Sequence, residues 1–222
     1  RNANIIYLEA YNKLATETDF PSVYELFNPL TTVAKSHFWE WFSGNNIDTT
    51  RWTVPTGSGA MVDAIDGGYR ITSGATIYNI SAITFNDKRH YSPTSCEMIL
   101  TCKADNSESS MNGGFGNNYN QRNISYSSVS VDITTTSTYT ELSSYNETEG
   151  SGVSSDIAVN SDWHNYKITC TSDNLLLYDN GVLKVTKTTY RPISAMQPVF
   201  SNLTTASNTC SSDIRYIEAY NT

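Results

Sequence analysis

The sequence predicts an all-β chain folded as a two-sheet antiparallel sandwich, and three observations carry that reading. Segments such as Cys96–Lys103 and Trp163–Cys170 alternate apolar and polar residues, the period of a strand with one buried face. Turn residues punctuate these segments at short intervals, among them Asp66-Gly67-Gly68 and Asp179-Asn180-Gly181. No stretch sustains apolar residues at the i, i+3, i+4, i+7 spacing of an amphipathic helix. Thr and the 15 Tyr favour strands, while Asn, Ser and Gly favour turns.

Taken in order, residues 1–12 read as a strand and residues 13–36 as a polar connector with Pro21 and Pro29, holding a short helical turn around Val23–Phe27. The main domain is expected over 37–222. Trp39–Phe42 opens it, Arg51–Val54 is a short strand, and Met61–Ile65 and Tyr69–Thr72 form a hairpin about Asp66-Gly67-Gly68. Thr76–Phe85 and Cys96–Lys103 are longer strands, and a further strand is expected to begin at Gly113-Gly114-Phe115-Gly116-Asn117. Residues 120–150 are rich in Ser, Thr and Tyr. They read as two polar strands, with alternation at Val129–Ile133, followed by a mobile loop at Asn146–Gly150. Trp163–Cys170 leads through Ser172-Asp173-Asn174 to Leu175–Tyr178, and Asp179-Asn180-Gly181 is a type I′ signal before Val182–Val185. Another strand approaches between Pro192 and Pro198, and the last runs from Ile214 to Tyr220.

The two ends of the chain nearly repeat each other. Ile5–Asn12 and Ile214–Asn221 share six identities in eight positions. Only one copy serves as the last strand of a single domain, so the first reads as the tail of a preceding similar module or as a strand that pairs elsewhere. Two strands of one sheet also converge on such residues. Ile6, Leu8 and Ala10 form the apolar face of this candidate assembly strand, which carries little edge protection.

Composition excludes several function classes. The 222 residues suffice for one large β-domain with a full core. Fourteen basic against 22 acidic residues give a net charge of −8, and no Lys/Arg cluster interrupts it, which argues against nucleic acid as a partner. No apolar run approaches transmembrane length, so membrane insertion is not expected. Cys96, Cys102, Cys170 and Cys210 are even in number and permit two disulfides, or four small core thiols. Their spacing is not that of a zinc site. Asn-x-Ser/Thr sequons stand at Asn79, Asn123, Asn146 and Asn202, and have meaning only for a chain secreted in a glycosylating host.

The order of motifs resembles a known family. Phe42-Ser43-Gly44-Asn45-Asn46-Ile47-Asp48-Thr49-Thr50-Arg51-Trp52 resembles the opening F-x-G-x-x-L-D-x-x-x-W of concanavalin A-like lectin/glucanase domains. Tyr69-Arg70-Ile71 and Gly114-Phe115-Gly116-Asn117 resemble the strands that follow. Asp162–Ile168 with Leu177–Leu183 is similar to the family's W-H-x-Y-x-I strand and D-G hairpin, and Ile214–Tyr220 to its closing strand. The resemblance spans residues 38–222. It implies a jelly roll with one sheet curved around a groove, in a family of lectins, laminin-G-like modules, glycoside hydrolases and structural domains of surface layers and virions. It also makes Trp52 and Trp163 packing residues, leaving Trp39 and Trp41 open.

The resemblance defines the chemistry to look for. Related glucanases carry Glu-x-Asp-x-x-Glu on one strand, which supplies nucleophile and general acid. No segment here matches, and Cys96–Lys103, taken as the groove strand, carries only Glu97. Glu141, Glu147 and Glu149 fall in the low-complexity stretch and read as solvated charges. His37, His90 and His164 stand in no nucleophile-elbow context. The expectation is therefore that the chain is not an enzyme.

Glycan binding needs aromatic faces for sugar C–H surfaces and amides for hydroxyls. Asn117, Tyr119 and Gln121 supply that chemistry beside the expected groove, with Tyr126 and Tyr78 nearby; polar loops have the same composition. No cofactor is expected. Calcium ligation by Asp48, Asp66 and Asp213 finds no supporting spacing, and turn formation accounts for each. The reading is a non-catalytic recognition or adhesion module, extracellular or on a cell or virion surface, with a glycan or cell-surface polysaccharide as partner. The alternative is a self-assembling subunit of a fibre, surface layer or virus particle, whose partners are neighbouring copies or tandem modules.

Overall fold

The computed structural model describes residues 37–42, 47–53, 61–74, 80–85, 91–104, 109–116, 127–134, 139–146, 148–158, 162–204, 209 and 211–222. These form fifteen strands and, among the described residues, no helix. In chain order they are β1 (His37–Trp41), β2 (Trp52–Thr53), β3 (Met61–Ile65), β4 (Gly68–Thr72), β5 (Ile80–Phe85), β6 (Cys96–Ala104), β7 (Ser109–Gly116) and β8 (Ser127–Thr134). There follow β9 (Tyr139–Asn146), β10 (Gly150–Ala158), β11 (His164–Cys170), β12 (Leu175–Asp179), β13 (Val182–Lys187), β14 (Gln197–Thr204) and β15 (Ser211–Asn221).

They make two antiparallel sheets, as the alternation predicts. One runs β13-β12-β11-β6-β15-β4-β3, with β1 also on β15; the other runs β10-β9-β8-β7-β14-β5-β2. Strict period-two burial along β6, β11 and β12 turns Cys96, Met98, Leu100 and Cys102, Tyr166 and Ile168, and Leu175 and Leu177 inward. Met111, Phe115, Val129, Val131, Leu142 and Phe200 meet them from the other sheet. Each such side chain withdrawn from water contributes about 1.5–3 kcal/mol, which drives the two faces together. Polar groups inside the sandwich pair across it. Ser212 Oγ donates to Asn202 Oδ1 at 3.0 Å, and the Thr140 and Tyr166 hydroxyls meet at 3.4 Å.

The turns follow their residues. Asn180 and Gly181 both take positive φ, 50° and 83°, the type I′ geometry of the β12–β13 hairpin, and Gly67 does so at 71° between β3 and β4. On β15 a bulge between Ile214 and Tyr216 shifts the register against β6. Ile214 and Ile217 therefore both reach the core although three residues apart, and Arg215 is left to lie over the Trp163 ring, 3.9 Å from its centroid.

Three expectations are corrected. The glycine-rich segment ends β7 rather than beginning a strand. A Cβ on Gly113 would stand 3.0 Å from Leu100 and Phe200, and one on Gly114 2.2 Å from the Val129 carbonyl, so tight packing explains these glycines. The expected mobile loop at Asn146–Gly150 is a tight hairpin into an unforeseen strand, β10. Asn146 Oδ1 accepts the Thr148 and Glu149 N–H groups at 2.9 and 2.6 Å, and its Nδ2 donates to Glu149 at 2.9 Å. Glu141 is not in a loop but in the middle of β9. β6, read as the groove strand, is central in the eight-stranded sheet, with its apolar face in the core and Glu97 on its outer face.

Candidate functional site

The seven-stranded sheet offers a polar outer face. Alternation commits Met111 and Phe115 of β7, Val129 and Val131 of β8, Leu142 of β9 and Phe200 of β14 to the core. Their neighbours Asn112, Ser130, Glu141, Ser143, Tyr145, Val199 and Ser201 then lie on the opposite face. Four of these are nevertheless buried: Asn112 is 8% exposed, Ser130 and Val199 1%, and Ser201 5%. These side chains turn away from the core yet are shielded from water. Glu141, Ser143 and Tyr145, on the same face, are half-buried. Gly116 is buried, and a Cβ on it would meet nothing within 4 Å.

Register arranges the polar residues in transverse rows. Ser201 pairs with Asn112, Asn112 with Asp132, Asp132 with Glu141, and Glu141 with Ser155. A second row runs Val199–Gly114–Ser130–Ser143, and a third Gln197–Gly116–Ser128–Tyr145. The first row holds two carboxylate-bearing residues at directly opposed positions of adjacent strands. Such positions place Cβ atoms about 4.5–5.5 Å apart. An amide and hydroxyls alongside are the groups that pair with sugar hydroxyls.

Other polar clusters have structural explanations. His164 Nδ1 lies 2.7 Å from Asp179 Oδ1, both residues are buried, and the imidazole stacks on Tyr166 with centroids 5.2 Å apart. Cys102 is the register partner of His164. This Cys-His-Asp succession is not a nucleophilic triad, because Cys102 is fully buried and desolvation pushes its thiol up, away from the reactive thiolate. Glu97, on the outer face of β6, accepts hydrogen bonds from Thr169 at 2.9 Å and Lys167 at 3.2 Å, and from the Tyr220 hydroxyl. Burial pushes its carboxyl up, but those three donors and the Lys167 charge outweigh it and hold it below the ordinary glutamate value. It is a charge hub tying β6, β11 and β15, not a proton donor. Asp48 accepts the Thr50 amide and hydroxyl in a turn, and Asp213 takes a bidentate bond from Arg70 at 2.7 and 2.9 Å, with Lys103 3.6 Å away.

The tryptophans divide. Trp52 is 1% exposed and donates Nε1–H to Glu40 at 3.4 Å, whereas Trp163 is half-buried beneath Arg215 and Lys103. Trp41 is 59% exposed, its ring 5.4 Å from Tyr216 on the outer face of the other sheet. Two sequon asparagines, Asn146 and Asn202, are buried and hydrogen-bonded, which gives them structural roles.

The site residues expected from sequence, Asn117, Tyr119, Gln121, Tyr126 and Tyr78, lie outside the described residues, as do Ile6, Leu8 and Ala10 of the assembly strand and the residues 13–36. In sequence, Asn117 directly follows β7 and Tyr126 directly precedes β8. Asn112, Asp132, Glu141 and Ser201 were not foreseen. The alternation Val129-Ser130-Val131-Asp132-Ile133 held the signal for β8, but its pairing with Glu141 is set by the β8–β9 register.

No protein-family model and no curated protein matches this sequence. Solved structures do match. A prokaryotic beta-1,3-1,4-glucanase (lichenase) from a mouse hindgut metagenome superposes with a TM-score of 0.64 at 13% identity, covering 84% of this chain and 99% of that one. A Bacillus licheniformis beta-glucanase gives 0.62 at 16% identity over 84% and 98%. The laminarinase catalytic domain of Thermotoga maritima gives 0.63 at 12% identity over 83% and 97%. At these identities the likeness is one of fold, a concanavalin A-like jelly roll. It overturns the expectation that the chain is not an enzyme. Glucan-cleaving enzymes share this fold.

Proposed function

We propose that this protein engages a β-linked glucan chain along the outer face of its seven-stranded sheet, and that Asp132 and Glu141 give that face the means to cleave or transfer the chain. The carrying observation is the row Ser201–Asn112–Asp132–Glu141, in which a buried amide and hydroxyl flank two opposed carboxylate positions. In this reading Asn112 and Ser201 orient sugar hydroxyls, and Tyr145 offers an aromatic surface. One carboxyl protonates the glycosidic oxygen as the bond to the anomeric carbon breaks. The other attacks that carbon, and water or a second sugar hydroxyl then releases the glycosyl group. The shared fold with lichenase and laminarinase structures supports the choice of a glucan.

The test is incubation of the purified protein with laminarin, mixed-linkage glucan and cellulose, measuring bound polysaccharide by affinity electrophoresis and new reducing ends in parallel. Retardation by a β-glucan with product that disappears in Glu141→Gln supports the proposal. Retardation without product removes the catalytic half, and neither effect with any of the three removes the whole.

A further inference from the structure

Two of the buried cysteines face each other. Cys96, the first residue of β6, is the direct register partner of Cys170, the last residue of β11. Both are free thiols at 0% exposure, and their side chains are in hydrogen-bond contact. Directly opposed residues of antiparallel strands have Cα atoms about 4.5 or 5.5 Å apart, depending on the pair type. Both values fall within the roughly 4.4–6.8 Å that a disulfide spans. Cys102 has a different environment, with His164 and Ile214 as its register partners.

We propose that Cys96 and Cys170 join as a disulfide when the chain folds in an oxidising medium, stapling β6 to β11 at the end of the eight-stranded sheet. The oxidant is a small dialkyl disulfide such as glutathione disulfide. One cysteine thiolate attacks it, forming a mixed disulfide and releasing one glutathione thiolate. The second cysteine displaces the other, so two thiols lose two protons and two electrons and two glutathione thiols are produced. The step belongs to folding. In the finished sandwich the contact with Cys170 and burial push the Cys96 thiol up and keep reagents out. Both residues lie at strand ends, and the bond forms as β6 and β11 pair, before the sandwich closes over them.

The test is refolding of the full chain in a glutathione redox buffer, alkylation in denaturant, and peptide mapping by mass spectrometry. The expected result is a Cys96 peptide linked to a Cys170 peptide, with Cys102 alkylated. The thermal midpoint should rise by roughly 10 °C over the reduced protein, given the long loop that is closed. Cys170→Ala, folded identically, should lose the linkage and the rise. Alkylation of both Cys96 and Cys170 in refolded protein, or linkage of either to Cys102 or Cys210, overturns the proposal. If refolding yields no folded protein, the same mapping is done on chain secreted into an oxidising compartment, with the same two results deciding.

Discussion

Glu141 of β9 stands directly opposite Asp132 of β8, two acidic residues in register on neighbouring strands of one sheet. Like charges facing each other across a ladder destabilise it. Asn112 and Ser201 complete the same row, and the proposed glucan chemistry rests on this arrangement.

This relationship yields the first prediction. Glu141→Gln and Asp132→Asn should each lower glucan cleavage by at least about 10²-fold, since one loses the general acid and the other the nucleophile. Glucan binding should be retained, and stability should be equal to or slightly above wild type because a like-charge opposition is removed. Reducing-end assays and urea unfolding on the same samples check both parts. Asn112→Ala should instead weaken binding.

The second prediction contrasts two glycines. A Cβ on Gly152 of β10 would stand 2.4 Å from Tyr190 Cδ2 and 2.7 Å from Cε2. Tyr190 has little freedom to retreat, because it holds φ at 54° and its N–H donates to Glu149 at 2.8 Å. Gly152→Ala should therefore cost about 1–3 kcal/mol by overpacking. Gly116→Ala, with nothing within 4 Å, should change stability by under about 0.5 kcal/mol. Denaturant midpoints decide.

A third concerns acid stability. The carboxyl of Glu97 is held below its ordinary 4.5, despite burial, by the Tyr220, Thr169 and Lys167 contacts. A depressed carboxylate contributes stability above its unfolded value and loses it as pH falls through the folded one. The stability gap between wild type and Glu97→Gln should be full at pH 7 and close below pH 4.5, where Glu97 takes up its proton. Urea titrations across that window give the result; a gap independent of pH would show that Glu97 acts through packing alone.

Most of the sandwich was legible in the sequence, because local chemistry sets it. Cys96–Lys103 and Trp163–Cys170 alternate cleanly, and Asn180-Gly181 specifies its turn. β10 was not legible. Its Gly150-Ser151-Gly152-Val153-Ser154-Ser155 run lacks apolar alternation, and it is recruited by pairing with β9 and by the Asn146–Glu149 turn. The bulge at Arg215 was hidden for the same reason, since register against β6 decides it. The candidate site was least legible of all. Asn112, Asp132, Glu141 and Ser201 come from four strands, and only long-range register brings them into one row.

The location of the glucan tests the account most directly. Titrating isotope-labelled protein with laminarin oligosaccharides and following backbone amide shifts by NMR separates the two outer faces. The expected result is saturable change centred on Asn112, Ser130, Glu141 and Ser201. Shifts centred on Trp41 and Tyr216 of the other sheet, or none with any β-glucan oligosaccharide, would contradict it.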